Sequence, residues 1–102
     1  MKIRNKDQIL KFIEENREVI SQFKVRKLGL FGSFIRDEQQ DYSDVDFMVE
    51  YETGSKTIDN FLDLIDYRES NLERKVELIT PESVSKYIKP YIEQEIEYVH
   101  KI

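Results

Sequence analysis

Cysteine is absent from the sequence. That excludes a disulfide framework, a zinc–thiolate site and a catalytic thiol. With only two prolines and three glycines, the chain carries no linker, repeat or low-complexity tract. No stretch approaches the roughly 20 apolar residues of a membrane span. The charges at Met1–Lys6 are followed by no apolar run, so no signal peptide is expected. An excess of basic residues is lacking too. Lysine plus arginine number 16 against 21 acidic residues, a net charge of −5. A general nucleic-acid binder needs a basic surface to displace counterions, so direct nucleic-acid binding is not expected. A site that handles one nucleotide through metal ions is not excluded. These absences together predict a cytoplasmic protein with no membrane contact.

What is present fits one domain over residues 1–102. Charged residues are 36% and hydrophobic residues 39%, so the core must be thin and its apolar side chains must sit in regular elements. Aromatic residues at 12% and clear periodicity argue for a fold rather than disorder. Asn5, with Gln8 as reciprocal partner, caps a helix whose apolar positions Ile9, Leu10, Ile13, Ile20 and Phe23 recur at helical spacing. Val25–Phe31 reads as a strand ending at Gly32-Ser33, with a short polar helix from Ser33 to about Gln39 and a loop over 39–43. In Asp44–Tyr51, Val45, Phe47, Val49 and Tyr51 alternate onto one face of a strand. Thr57 is placed to cap a second long helix through Ile58, Phe61, Leu62 and Ile65, closing near Asn71. Val76–Ile79 is a short strand, and Thr80-Pro81-Glu82 starts a helix that Pro90 breaks or kinks. Helical periodicity resumes from Tyr91 to Val99. The fold class is α/β (α+β), a small mixed sheet flanked by helices.

Three features converge on chemistry. Gly32-Ser33 follows a strand and opens a helix, where unpaired N–H groups and the Ser33 hydroxyl can meet a phosphate. Arg36 stands three residues on, within reach of the same anion. A plain helix cap is the alternative. Asp44 and Asp46 project from one face of their strand. Parallel carboxylates repel, and a divalent cation relieves that repulsion; magnesium suits hard oxygen ligands plus substrate phosphates. A solvated strand edge is the alternative. Glu77 lies inside the apolar strand Val76–Ile79. It either pairs with Arg74, Lys75 or another lysine, or completes a carboxylate triad if its strand adjoins that of Asp44. Three carboxylates can hold two metal ions about 3.5–4 Å apart. Gly32-Ser33 and Asp44 meet if their strands run antiparallel.

Gly32-Ser33, ten residues, then Asp44-x-Asp46 resembles the signature of the DNA polymerase β-like nucleotidyltransferase superfamily, and more narrowly the minimal nucleotidyltransferase (MNT) family. The stretch 32–49 is the specific part, and the run Tyr87–Glu95 also resembles these proteins. The resemblance implies a minimal polymerase-β-like palm that transfers a nucleotide from ATP with magnesium, two ions being expected. It places Gly32, Ser33, Arg36 and Ser43 on the nucleotide. Asp44 and Asp46 become metal ligands, and Glu77 the third carboxylate, polarising an acceptor hydroxyl. It further implies the antitoxin of a HEPN/MNT toxin–antitoxin pair, which transfers AMP to a tyrosine of an all-helical HEPN ribonuclease. Two residues depart from the family pattern: Asp37 stands where a glycine is usual, and Glu77 where aspartate is common. They support an alternative, a non-catalytic antitoxin acting by complex formation. A third reading, transfer to a small molecule, lacks a second domain to bind it. A domain this small borrows its acceptor surface from a partner or from a second copy of itself.

Other signals have simpler readings. Gly54-Ser55-Lys56-Thr57 echoes a P-loop but lacks its glycines, and a loop with a helix cap explains it. His100 is expected at the surface. Tyr87, Tyr91 and Tyr98 are expected to pack on the sheet, with a partner-binding stripe as the alternative. Lys24, Arg26 and Lys27 form a solvated strand start, and Tyr42 is a loop residue.

Overall fold

The computed structural model describes residues 2–52, 54 and 58–101, without the side chains of 58–62 and 101. Thr57 as a helix cap, the 55–57 part of the P-loop-like run, and the side chains of Ile58, Phe61 and Leu62 lie outside these residues.

Helix α1 spans Lys6–Glu15. The Gln8 N–H donates to Asn5 Oδ1 at 3.0 Å, as expected of an N-cap. The Gln8 side chain returns the bond one residue earlier than a capping box requires, accepting from the Arg4 N–H at 2.6 Å. The helix does not run on to Phe23. It breaks at Asn16, and α2 (Arg17–Gln22) follows as a separate element. Asn16 is tied sideways: its Nδ2 donates to the Phe12 carbonyl at 2.8 Å and its Oδ1 accepts from the Tyr67 hydroxyl at 2.8 Å. An amide side chain that bonds locally to backbone competes with the helix ladder.

Strand β1 (Val25–Phe31) lies antiparallel to β2 (Val45–Tyr51). Helix α3 (Ile58–Leu72) then crosses over to β3 (Val76–Ile79), which pairs parallel to β2. A 3-10 turn at Pro81–Ser83 and helix α4 (Lys89–Glu95) lead to β4 (Glu97–Lys101), antiparallel to β1. The sheet order is β3-β2-β1-β4, a mixed sheet as expected. One face carries Leu28, Leu30, Val45, Phe47, Val49, Val76 and Leu78, packed on Ile9, Ile13, Ile20, Leu64 and Leu72 of the helices. This apolar contact drives the fold. The opposite face is left for polar chemistry.

The C-terminal third differs most from expectation. The helix predicted to begin at Thr80 is only the 3-10 turn Pro81–Ser83. Thr80 and Ser83 satisfy each other there in a capping box. Pro90 breaks no helix; it sits in the first turn of α4, where a missing N–H costs nothing. Residues 97–101 are strand, not helix, because pairing with β1 outweighs local periodicity. That pairing buries His100, which is 5% exposed rather than on the surface. Burial holds its imidazole pKa below the ordinary value. Tyr87 and Tyr91 do not pack on the sheet; they are 75% and 71% exposed, with Ile88 between them at 55%. No helix among the described residues is long and apolar enough to cross a membrane.

Arg68 of α3 is fully buried. Its guanidinium lies 5.2 Å from the Phe12 ring centre and 5.0 Å from that of Tyr67. None of its nitrogens has a hydrogen-bond partner among the described residues. Burial pulls its pKa down to about 10. Ring faces offset part of the desolvation cost of a cation, but not the loss of five donors to water. Arg68→Met is therefore expected to stabilise the fold by about 1–3 kcal/mol. Thermal denaturation checks this, and a lower midpoint than wild type would refute it.

Candidate active site

The sheet register assembles the acidic side chains. Phe31, the last residue of β1, pairs with Asp46 of β2. Asp46 in turn pairs with Glu77 of β3. Residues paired across strands point to the same face. The even positions of β2 face away from the helices, so Asp46 and Glu77 stand side by side opposite the core. Asp44 directly precedes β2, two residues from Asp46, and is half-buried. The β1–β2 pair is antiparallel, as the meeting of Gly32-Ser33 with Asp44 required, and β3 adjoins β2, as a role for Glu77 required.

Gly32 completes the near wall. Its φ is +83°, in the left-handed region that glycine occupies without strain. A Cβ placed on it would collide with Asp46 Oδ2. The missing side chain thus lets the backbone of the turn lie directly beside the Asp46 carboxylate. Ser33 begins a turn, not the expected helix from 33 to 39. The Arg36 N–H bonds the Gly32 carbonyl at 3.2 Å, and the Glu38 N–H bonds the Ser33 carbonyl at 2.9 Å. This pattern closes the chain after one turn, with Asp37 at φ +56° in the left-handed position. The glycine usual after the motif arginine therefore answers a backbone demand. Asp37 meets it because short polar residues tolerate that conformation. The phosphate-cradle reading of Gly32-Ser33 thus rests on the turn amides and not on a helix dipole.

Arg36 is half-exposed at the mouth of the site. Its Nε donates to Glu38 Oε1 at 2.7 Å, and its Nη1 to Glu95 Oε1 and Oε2 at 3.0 and 3.1 Å. The bond to Glu38, then the charge of Glu95, hold its pKa above the ordinary arginine value. The same Glu95 carboxylate accepts from the Gly32 N–H at 2.6 Å. Ser43 is otherwise engaged: its hydroxyl accepts from the Gln40 N–H at 2.7 Å and shapes the loop before Asp44.

Two residues of this site escaped the sequence reading. Glu95 arrives from 63 positions beyond Gly32; it ends the Tyr87–Glu95 run that resembles the family, but nothing local assigns it a role at the site. Arg74 was considered only as a salt-bridge partner for Glu77. Instead its Nη1 gathers the carbonyls of Gln40 and Ser43, each at 2.9 Å, while its Nε donates to the Ile3 carbonyl at 2.6 Å. Its guanidinium lies 4.9 Å from the Phe34 ring centre. This staple fixes the 40–43 loop and hence the direction in which Asp44 leaves it.

The carboxylates disturb one another. Asp46 has its pKa pushed up to about 7, first by burial, then by the hydrogen bond and charge of Glu77, then by the charge of Asp44; Arg36 opposes the shift. No group of three or more histidine, aspartate or glutamate side chains among the described residues is placed to hold a metal ion. Asp46 instead shares a hydrogen bond with Glu77. Magnesium takes one or two carboxylates and completes its shell with water and phosphate oxygens. Asp46 beside Glu77, with the Asp44 charge near, offers the hard-oxygen chemistry that such an ion takes. A cavity of about 620 Å³ lined by Glu14, Glu18, Ser21 and His100 lies toward the other end of β1. It contains none of Asp44, Asp46 and Glu77 and no residue of the Gly32-Ser33 turn.

A Gly–Ser turn set against paired strand carboxylates, on a small mixed sheet with helices behind it, defines a nucleotidyl-transfer palm. Residues 7–99 match the family model described as nucleotidyltransferase domain, and the chain belongs to that family. It is 37% identical over 95 residues to a candidate protein adenylyltransferase of Methanocaldococcus jannaschii, covering 90% of this chain and 95% of that one. It is 34% identical over 83 residues to the protein adenylyltransferase MntA of Thermococcus cleftensis, covering 81% and 83%. Its fold is that of a solved toxin–antitoxin with AMP-PNP (TM-score 0.67, 21% identity, covering 97% of this chain and 75% of that one). It is also that of a complex of MNT antitoxin with a tri-AMPylated HEPN toxin from Shewanella oneidensis (TM-score 0.64, 17% identity, 91% and 73%).

Two expectations follow. In metal-free protein, native Asp46 keeps a proton that the unfolded chain has released above its ordinary value of 3.8. Its contribution to stability is full below that value and is lost as the pH rises through about 7. Denaturation in chelator at pH 5 and pH 8 should show wild type losing more stability across this interval than Asp46→Asn; equal losses would contradict it. Asp37→Gly should relieve the left-handed backbone and stabilise by about 1 kcal/mol, read as a higher thermal midpoint.

Proposed function

We propose that this nucleotidyltransferase is the antitoxin of a HEPN/MNT pair, and that it transfers AMP from ATP to a tyrosine of its HEPN-type partner. The observation that carries this reading is the close approach of the Gly32 turn to Asp46, with Glu77 paired beside it. The relatives named as protein adenylyltransferases and the AMPylated toxin complex supply the acceptor class. Gly32, Ser33 and Arg36 would bind the triphosphate, with Arg36 offsetting its charge. Asp44 and Asp46, with Glu77, would hold magnesium, which when bound neutralises phosphate charge. Glu77 would orient the acceptor hydroxyl and draw off its proton. The phenolic oxygen forms a bond to the α-phosphorus, the bond to the bridging oxygen breaks, and pyrophosphate leaves. The exposed run of Tyr87, Ile88 and Tyr91 supports a protein partner, since amphipathic aromatics are frequent in interfaces.

A second reading, neutralisation by complex formation alone, is favoured by one observation. Arg36 already pairs with two carboxylates of this chain, Glu38 and Glu95. Incubation with labelled ATP, magnesium and the product of the neighbouring gene separates the two. Transfer predicts label on a partner tyrosine, with a drop of at least about 10²-fold for Asp46→Asn and loss of neutralisation. An unlabelled partner that wild type and Asp46→Asn neutralise equally would establish the second reading instead.

A further inference from the structure

The Glu95 carboxylate has an unusual pair of donors. One is a buried backbone N–H at the Gly32 turn, at 2.6 Å; the other is the Nη1 of Arg36, at 3.0 and 3.1 Å. A turn amide and a guanidinium converging on one anion are the donor set that nucleotide-binding turns present to a phosphate oxygen. Glu95 reaches it from the last turn of α4, on the far side of the chain in sequence. Its side chain is 24% exposed and that of Arg36 49%, so the contact lies at the mouth of the site and can be exchanged without opening the core. The next residue, Ile96, is already extended and leads into β4. The backbone of α4 is therefore anchored, and only the Glu95 side chain need rotate to clear the cradle.

We propose that Glu95 is an internal stand-in for a nucleotide phosphate: it occupies the Gly32–Arg36 cradle in the free protein, must leave when a triphosphate enters, and so sets nucleotide affinity. This rests on the nucleotide-binding reading above. A competing intramolecular anion lowers apparent affinity by the fraction of molecules in which the cradle is free. It also fills the donors while no nucleotide is bound, so the Gly32 amide is never buried without a partner. The rival role is a brace that aims Arg36 at the nucleotide. The two make opposite predictions. Loss of a competitor tightens nucleotide binding, whereas loss of a brace weakens it.

The test is calorimetric titration of ATP with magnesium into wild type, Glu95→Gln and Glu95→Ala, each first shown to fold by circular dichroism and a melting curve. Glutamine keeps the size and an acceptor for Gly32 but removes the charge, so it folds even if alanine does not. The expected result is binding about tenfold tighter for Glu95→Gln, with alanine, where folded, at least as tight. The Gly32 amide resonance of wild type should move on adding ATP, while in Glu95→Gln it should already be displaced from the wild-type position in free protein. Unchanged or weaker ATP binding by Glu95→Gln, with wild type binding normally, overturns the stand-in and leaves the nucleotide reading intact. No ATP binding by either protein overturns both.

Discussion

The backbone register that sets Phe31 beside Asp46, and Asp46 beside Glu77, governs the rest of this molecule. Hydrogen bonds of the ladder and the apolar packing beneath it hold that register. The consequence on the other face is a concentration of like charge that no local preference would create. With Asp44 nearby and water partly excluded, Asp46 keeps its proton far above the ordinary carboxylate range. The sheet therefore stores an electrostatic conflict. A proton on Asp46 relieves it; under the proposed function a magnesium ion would do the same. The strain of the site and its chemical capability are the same fact.

Around this conflict the chain places cations sparingly, and each has a different duty. Arg74 is buried against Phe34 and spends its donors on backbone carbonyls, so it shapes the loop that delivers Asp44 and leaves the charge of the carboxylates unopposed. Arg36 stays at the mouth, bonded to Glu38 and Glu95. Arg68 lies among aromatic rings within the helical layer, with no bearing on the site.

Legibility in the sequence followed the range of the interaction. Strands β1, β2 and β3 were readable because alternation and short apolar runs are local. The Gly32-Ser33 and Asp44-x-Asp46 spacing was readable because an antiparallel pair leaves few ways to join its ends. Asn16 was not read as a break, since its side chain acts there by bonding the Phe12 carbonyl and the Tyr67 hydroxyl, 51 residues away. The spacing of Tyr91–Val99 is helical, yet the chain leaves the helix after Glu95 and forms β4. Only the free edge of β1 decides otherwise, and with it the burial of His100. Tyr87 and Tyr91 face solvent because the chain between Ser83 and Lys89 forms turns and not a helix on the sheet.

By itself the sequence determined the class of fold, the glycine–serine turn and the acidic strand positions. Each depends on neighbours within a few residues, where periodicity and steric rules act directly. The tertiary structure alone decided that Asp46 and Glu77 share a hydrogen bond, that Asp37 holds a left-handed corner, and that Glu95 closes on Gly32 and Arg36. These depend on strand register and on contacts across as many as 63 residues. Charge and hydrogen bonding act through distance in space, and the chain has no distances until it folds.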